Sequence, residues 1–418
     1  MQHVYSEIDG WFDFPDVYLN AVAQAVDGAR FVEIGAYLGK SAAFMAVEIT
    51  NSGKRIQFDV VDTWTLTPQQ PIIPGDFEKY GRSTYGAFLS NMDKFGLRAI
   101  VNPIQGRSTE VAATYEDGSL DFVFIDADHS YDAVRADIAA WLPKVKHRGV
   151  LAGHDYDAGT HRAVVLAVDV ALPLSQIQRC NRSWVFHNEL PTVGHFVVPL
   201  SSEPREYLLY IPCVNGPELL AEAVDSVRDH WANLIIIDQS DEGIKDLWDG
   251  CIAIYRWTAE SHFVRMQNWL QRHAMLERVP YFLFMHHDAC CQNNAVQMVV
   301  DEARILDRIG ERWGVIFTAY DALCLFSTHA TIQVGAWDET FRWYVADIDY
   351  YNRMTWAGFR QVTSSRTIVQ HHVSQTLRRL SPAERAAVEQ NHSWAQAHYA
   401  HKWGGWNQQE THRIPYGG

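Results

Sequence analysis

The sequence predicts two α/β domains in tandem, residues 1–198 and 205–418. Three observations lead there. Strand-like and helix-like segments alternate from residue 30 to about residue 170, which argues for a parallel sheet with helices on both faces. The stretch "VVPLSSEPREY" (197–207) then combines proline, serine and charge without periodicity, and reads as a linker. Beyond it the alternation starts again. A chain of 418 residues suits two or three domains at roughly 150 residues each. Its 47% hydrophobic and 20% charged residues are ordinary for a protein with sizeable cores.

In the first half, "RFVEIG" (30–35) is a strand, "KSAAFMAVEI" (40–49) a helix and "IQFDVVD" (56–62) the second strand. "YGAFLSNMDKF" (85–95) is a helix, "AIVNPIQG" (99–106) a strand and "LDFVFIDAD" (120–128) the fourth strand. "AVRADIAAWLPKV" (133–145) and "GVLAGHD" (149–155) add a helix and a fifth strand, and "LSQIQRC" and "SWVFHNE" are two short strand candidates within 174–189. In the second half, "YLLYIP" (207–212), "NLIIIDQSDEG" (233–243), "CIAIYRW" (251–257) and "YFLFMHHD" (281–288) are strands; "ELLAEAVDSV" (218–227) and "FVRMQNWLQRHAML" (263–276) are helices.

The net charge of −15 repels nucleic acid on average, so a phosphate-tracking partner would need a local basic patch. The densest basic piece, "TLRRL" (376–380), is too short to supply one, and no nucleic-acid partner is expected. The tryptophans crowd the second half, as core packing or as platforms for sugars or bases. Six cysteines without metal spacing point to free thiols in a reducing compartment. The first residues lack a basic segment followed by an apolar one, and no apolar run approaches the ~20 residues of a membrane helix, so a cytoplasmic location is expected.

Chemistry concentrates at strand ends. Glu33, Gly35 and Gly39 lie where the first strand turns into a helix, a place where backbone and helix N–H groups approach a ligand. Asp62 ends the next strand, where an acid takes ribose hydroxyls in dinucleotide-type folds. The E-x-G-x-x-x-G spacing lacks a pyrophosphate loop and favours a nucleoside without a diphosphate. Asp126, Asp128 and His129 follow the fourth strand; His154 and Asp155 follow the fifth. Carboxylates from adjacent strand ends suit a hard divalent cation, and a nearby histidine suits proton removal from a hydroxyl. Capping of the following helices by Asp128 and Asp155 is the competing explanation.

Glu33-Ile34-Gly35, Asp62, "FIDADHSY" and "GVLAGHDY" together resemble class I methyltransferases that use S-adenosylmethionine, in particular the metal-dependent branch acting on sugar hydroxyls. The resemblance covers roughly residues 28–190. It implies a Rossmann-like fold and cofactor contacts from Glu33, Gly35, Gly39, Asp62, Ser108 and Asp126. It further implies Mg²⁺ on Asp126 and Asp155, with His129 or His154 as base. "KHRGV" stands where such families carry Lys-Pro-Gly-Gly, which alters a turn.

The second half resembles family 2 glycosyltransferases of the GT-A type. "YLLYIPCVNG" and "NLIIIDQSDEG" match its opening, which implies nucleotide contacts from Pro212 through Asn215, Asp238 and Asp241, with Asn268 at the asparagine of the helix before the metal strand. That strand ends in His286-His287-Asp288 where the family has Asp-x-Asp, so Mn²⁺ suits it better than Mg²⁺. His371 or His372 would complete the shell. In "GAWDETFRWYVADIDYYNR", Asp347 falls on the catalytic base, Asp349 and Arg353 on its partners, and Ala346 on a position usually Glu. The alternative for these is helix capping with an Asp349–Arg353 pair.

The sequence therefore points to a bifunctional enzyme of glycan assembly, an inverting transferase of a sugar joined to a methyltransferase of a sugar hydroxyl. Its cofactors would be S-adenosylmethionine and Mn²⁺ or Mg²⁺. Its substrates would be a nucleotide-sugar, with a UDP-sugar favoured, and a glycan or lipid-linked acceptor; homo-oligomerisation is left open. Two alternatives stand beside this: an enzyme pair modifying a nucleic-acid base, and a glycan-binding protein with one inactive half.

Overall fold

The computed structural model describes every residue except 67–74, 192, 215–216, 241–242, 245–247, 249, 260–261, 319–320, 366–367 and 372–381. The chain divides into two compact units, Met1–Glu189 and Leu190–Gly417.

The first unit holds β1 (Arg30–Ile34), β2 (Gln57–Asp62), β3 (Val101–Gln105), β4 (Leu120–Ile125), β5 (Val145–Gly153), β6 (Ile177–Cys180) and β7 (Ser183–His187), in the order β3-β2-β1-β4-β5-β7-β6. Strands β1 to β5 are parallel, and the β6–β7 hairpin closes the edge antiparallel to β5. The helices are α1 (Pro15–Gln24), α2 (Lys40–Ser52), α3 (Asp76–Tyr80), α4 (Tyr85–Lys94), α5 (Ser108–Ala112), α6 (Tyr131–Trp141) and α7 (Arg162–Ala171). Strands β1 and β4 are almost wholly buried, as expected for central parallel strands covered on both faces. Phe31, Phe58, Phe122 and Phe124 pack with Phe44 and Met45 of α2, whose stop is Gly53 in the left-handed region.

The second unit has an eight-stranded sheet and a two-stranded one among its described residues. Its strands are β8 (Gly194–Val198), β9 (Tyr207–Cys213), β10 (Leu234–Asp238), β11 (Ala253–Trp257), β12 (Tyr281–Met285), β13 (Ala289–Gln292), β14 (Trp313–Phe317), β15 (Leu323–Ser327), β16 (Arg360–Thr363) and β17 (Ile368–His371). The large sheet runs β16-β14-β15-β12-β9-β10-β11-β8; β13 and β17 pair separately. Strands β9, β10, β11 and β12 are parallel, β15 is antiparallel to both neighbours, and β8 is antiparallel to β11. Helices α8 (Pro217–Asp225), α9 (Phe263–Leu276), α10 (Ala295–Arg308), α11 (Thr328–Val334), α12 (Ala346–Trp356) and a long C-terminal helix (Pro382–Trp403) cover it. Ala295, Val296, Val299, Val300, Ala303 and Leu306 form the buried stripe of α10 at helical spacing.

Strand β8 lies in the second sheet, although its residues fall in the half that the sequence reading assigned to the first domain. Its exposure alternates along a half-covered edge, so it carries little apolar signal. No helix among the described residues is long and apolar enough to cross a membrane.

Candidate functional site

Each large sheet contains a point where the strand order reverses, between β1 and β4 in the first unit and between β9 and β12 in the second. In open α/β sheets ligands bind outside the carboxyl ends of the strands at such a point.

In the first unit Gly35 leaves β1 at φ +87, and a Cβ there would run into the Asp126 carbonyl oxygen. Only glycine lets the turn pass beneath the end of β4. Gly39 also has φ +87, but a Cβ on it would lie 2.6 Å from Met92 Cε, so this glycine makes room for α4. Asp62 holds the turn itself. Its Oδ2 accepts from the Ala36 and Tyr37 amides at 2.8 and 3.0 Å, and its Oδ1 from Trp64 at 2.7 Å. Three of about four acceptor positions are thus taken by the backbone.

Glu33 is 1% exposed and accepts from the Ser41 hydroxyl. Burial pushes its carboxyl up to about 8, so the neutral acid is the folded form near neutral pH. It supports the turn from inside rather than presenting a charge to a ligand. Ser108 accepts from Trp141 Nε1 at 2.8 Å, which ties α5 to α6.

The cluster beyond the turn gathers as the register requires. Ile125 pairs with both Ile34 and Gly153, so Asp126 and the His154–Asp155 pair emerge side by side. Asp155 is 6% exposed and carries φ +57, a strained value outside glycine and asparagine-like turns. Its Oδ2 lies 3.1 Å from His129 Nε2; its Oδ1 lies 3.1 Å from His161 Nδ1, 3.1 Å from Arg182 Nη2 and 3.3 Å from His154 Nδ1. Asp126 Oδ1 is 3.5 Å from His129 Nε2 and 4.0 Å from His154 Nδ1. The hydrogen bond to Asp126 is the main cause that raises His129; burial opposes charge on His154, but Asp155, Asp126 and Asp13 raise it too. Burial likewise opposes charge on Asp155, yet the surrounding imidazoles lower it. Asp155 therefore serves the cluster and caps no helix, whereas Asp128 accepts from the Ser130 amide at 2.7 Å and shapes the start of α6.

In the second unit β12 delivers His286 and Asp288. The β13–β17 pair sets His371 opposite Ala289, which brings His371 Nε2 to 3.1 Å from Asp288 Oδ1. Ligand atoms of His286, Asp288 and His371 lie within 4.8 Å of one another. Burial, then the neighbouring histidines, pushes His286 down to about 4, so it is neutral and ligand-competent near pH 7. Two imidazoles with one carboxylate suit a transition ion better than Mg²⁺.

Asp347 sits in the first turn of α12, after Val345 in the left-handed region at φ +71, an outlier for a β-branched residue. Burial raises Asp347. Burial and then the charge of Asp347 push Asp321 up to about 6, and the next residue, Ala322, accepts the His286 backbone N–H. A second carboxylate thus stands near Asp347 and the end of β12.

Asp238 and Asn268, expected to contact a nucleotide, are bonded within the scaffold. Asp238 is 1% exposed, and its four acceptor positions are filled by Ser240 N, Ser240 Oγ, Ile244 N and Arg256 Nη1. It pins the loop after β10. Asn268 clamps Trp337 through both backbone groups and reaches Glu339. Pro212 is buried within β9, in register with Ile237. Asn215, Asp241 and His372 lie outside the described residues. Asp349 is fully buried and bonded to Arg353 Nε, Lys402 Nζ and Trp403 Nε1; Lys402 also donates to Asp338.

The reading of the sequence missed His161, Arg182, Asp13, Asp321 and Lys402. Lys402 lies in the closing "YAHKWGG", which resembles the tail of bacterial polysaccharide transferases, and the other four sit in no motif; Arg182 arrives from the β6–β7 turn, and spacing along the chain carries no trace of that.

Residues 32–156 match a family model described as a methyltransferase domain. The chain is 25% identical over 142 residues to the uncharacterized protein y4gI of Sinorhizobium fredii, covering 34% of this chain and 14% of that one. It thus spans about a seventh of the length of that curated relative. Among solved structures it is similar to the O-methyltransferase NovP (16% identity, 41% and 78% of the two chains, TM-score 0.32). It is also similar to the calicheamicin methyltransferase CalS11 (15% identity, 41% and 76%, TM-score 0.30). The first unit carries a methyltransferase domain.

Proposed function

We propose that the first unit transfers a methyl group from S-adenosylmethionine to a sugar hydroxyl, and that the second transfers a sugar from a nucleotide-sugar to an acceptor hydroxyl. The observation that carries the first part is the convergence of Asp126, His129 and Asp155 beside the β1–α2 turn, inside the residues that match a methyltransferase domain. Methyl transfer breaks the S–CH₃ bond and forms the O–CH₃ bond in line, and releases the hydroxyl proton. The protein's task is orientation and proton removal. His154 is closed in by Phe14, with ring centroids 4.7 Å apart, and by Asp13, 2.7 Å from its Nε2. The proton acceptor is then Asp126 or the more exposed His129. A divalent ion beside the acceptor hydroxyl would lower its pKa.

In the second unit, His286, Asp288 and His371 support the sugar-transfer reading, because they meet at the switch point of the sheet. They would hold the ion that balances the departing diphosphate. Asp347 would take the acceptor proton in a one-step inversion. The filled shell of Asp238 and the absence of an acid at Ala346 favour a second reading, in which this unit binds a glycan without turnover.

The test has two arms. Calorimetry with S-adenosylmethionine, then methyl transfer to a panel of sugars, should show binding that survives Asp126→Asn while transfer is lost. Incubation with UDP-, GDP-, dTDP- and CMP-sugars should release nucleotide from one donor, and Asp288→Ala should stop it. Glycan binding without release from any donor would establish the second reading instead.

A further inference from the structure

The His129–Asp155–His161 face of the cluster in the first unit fits Mg²⁺ poorly. That ion wants oxygen ligands in a near-octahedral shell. Asp155 is instead flanked by His129 and His161, whose ring centroids lie 5.1 Å apart at 64°. His129 Nε2 is 3.1 Å from Asp155 Oδ2 and His161 Nδ1 is 3.1 Å from Asp155 Oδ1; one ligand atom from each of the three residues can be chosen so that all lie within 4.8 Å of one another. An ion roughly 2.1 Å from its donors holds neighbouring donors roughly 3.0 to 3.4 Å apart, from octahedral to tetrahedral geometry, and each histidine nitrogen lies at about that spacing from one oxygen of Asp155.

A cation already stands in part of this space. Arg182 Nη2 is 3.1 Å from Asp155 Oδ1 and 3.2 Å from His161 Nδ1. Guanidinium only donates and a carboxylate only accepts, so His161 Nδ1, which also lies 3.1 Å from Asp155 Oδ1, stands between a donor and an acceptor. Thr160 Oγ1, 3.1 Å away, shares that nitrogen. The arginine has somewhere else to go: Asp157 lies 3.7 Å from its Nε and Asp13 lies 3.8 Å from its Nη1. Its charge also offsets one carboxylate. That weakens the electrostatic pull on which a hard ion depends more than it weakens imidazole ligation.

We propose that His129, Asp155 and His161 form a site for one divalent first-row transition ion, and that the Arg182 guanidinium holds the ion's place until displaced by it. His129 then acts as a ligand, and Asp126 is left as the proton acceptor. The site's role in methyl transfer rests on the methyltransferase reading; ion binding does not.

The experiment uses the full chain with Asp288→Ala and His371→Ala, which silences the second cluster. Co²⁺ is titrated and followed by its visible absorption and by equilibrium dialysis. One equivalent should bind, and millimolar Mg²⁺ should not displace it. His161→Ala should weaken binding at least about tenfold. Arg182→Gln should tighten it several-fold. Unchanged Co²⁺ affinity in His161→Ala, displacement by Mg²⁺, or absence of Co²⁺ from both the parent and Arg182→Gln would overturn the site. S-adenosylmethionine binding is titrated on the same samples. If it persists without Co²⁺, the ion site fails and the methyltransferase reading stands; if it is absent, that reading fails whatever Co²⁺ does.

Discussion

The two units place histidine and aspartate at the same topological position and then treat the charge in opposite ways. In the first unit the acids Asp126 and Asp155 face His129 and Arg182, both partly exposed. In the second, the acids behind the site, Asp338 and Asp349, are sealed against Lys402 and Arg353, the latter two each 4% exposed in their side chains. A switch point decides where chemistry gathers, and the loops and terminal helix around it decide whether the charges there are exchangeable or built in. The first arrangement suits a site that loads and unloads an ion. The second suits a scaffold holding Asp347, two residues before Asp349 on α12, in one place.

The comparison breaks most visibly at Lys402. Lys402→Met leaves Asp338 and Asp349 with an uncompensated buried charge and should cost about 3–5 kcal/mol. Hydrogen exchange read by mass spectrometry should show the loss in peptides of the second unit alone. Equal loss in both units would mean that they do not unfold separately. Gly35→Ala comes next. The positive φ and the Asp126 carbonyl should cost the first unit about 1–3 kcal/mol, with weakened S-adenosylmethionine binding in calorimetry.

The two units should also respond to pH with opposite sign. Glu33, held protonated up to about 8 in the fold, ionises near 4.3 when unfolded. Between those values the folded first unit binds one more proton, so its stability falls as pH rises, by about 1.4 kcal/mol per pH unit. Glu33→Gln should remove that slope in denaturant melts. Asp338 behaves in reverse: burial opposes its charge, but Lys402 holds its carboxyl well below the usual range. Its contribution to the second unit is present above about pH 4 and lost as the pH falls further, and Asp338→Asn should flatten that acid limb. The smallest effect belongs to Asp128→Ala, below about 1 kcal/mol, because only the Ser130 amide loses its partner. Co²⁺ binding should survive it, whereas Asp155→Ala should abolish binding.

Much of this was legible along the chain. The strands that proved central, "RFVEIG", "LDFVFIDAD", "YLLYIP" and "YFLFMHHD", are short apolar runs with charge at one end, and burial on both faces demands that pattern. Asp126, His129 and Asp155 share a cluster because adjacent parallel strands end together. His286 and Asp288 share one because they follow the same strand. Four motif residues are tied into the scaffold. Asp238, Asn268, Glu33 and Gly39 occupy motif positions, but a carboxylate or amide in such a place can hold a turn or loop as readily as it can meet a ligand, and a glycine can make room for a helix. Burial, neighbouring atoms and the count of hydrogen bonds separate the two. Strand β8 escaped because an edge strand needs little apolar periodicity.

The sequence by itself determined two α/β units, their parallel central strands and the acids and histidines at the strand ends, because hydrophobic period and strand-end polarity are local properties. Tertiary structure alone decided which polar groups are spent on the scaffold and which remain for chemistry. Arg182 reaches Asp155 across 27 residues and Lys402 reaches Asp349 across 53. An ion pair over such distances leaves no periodic mark in the chain; it exists only once the sheet has set the partners side by side.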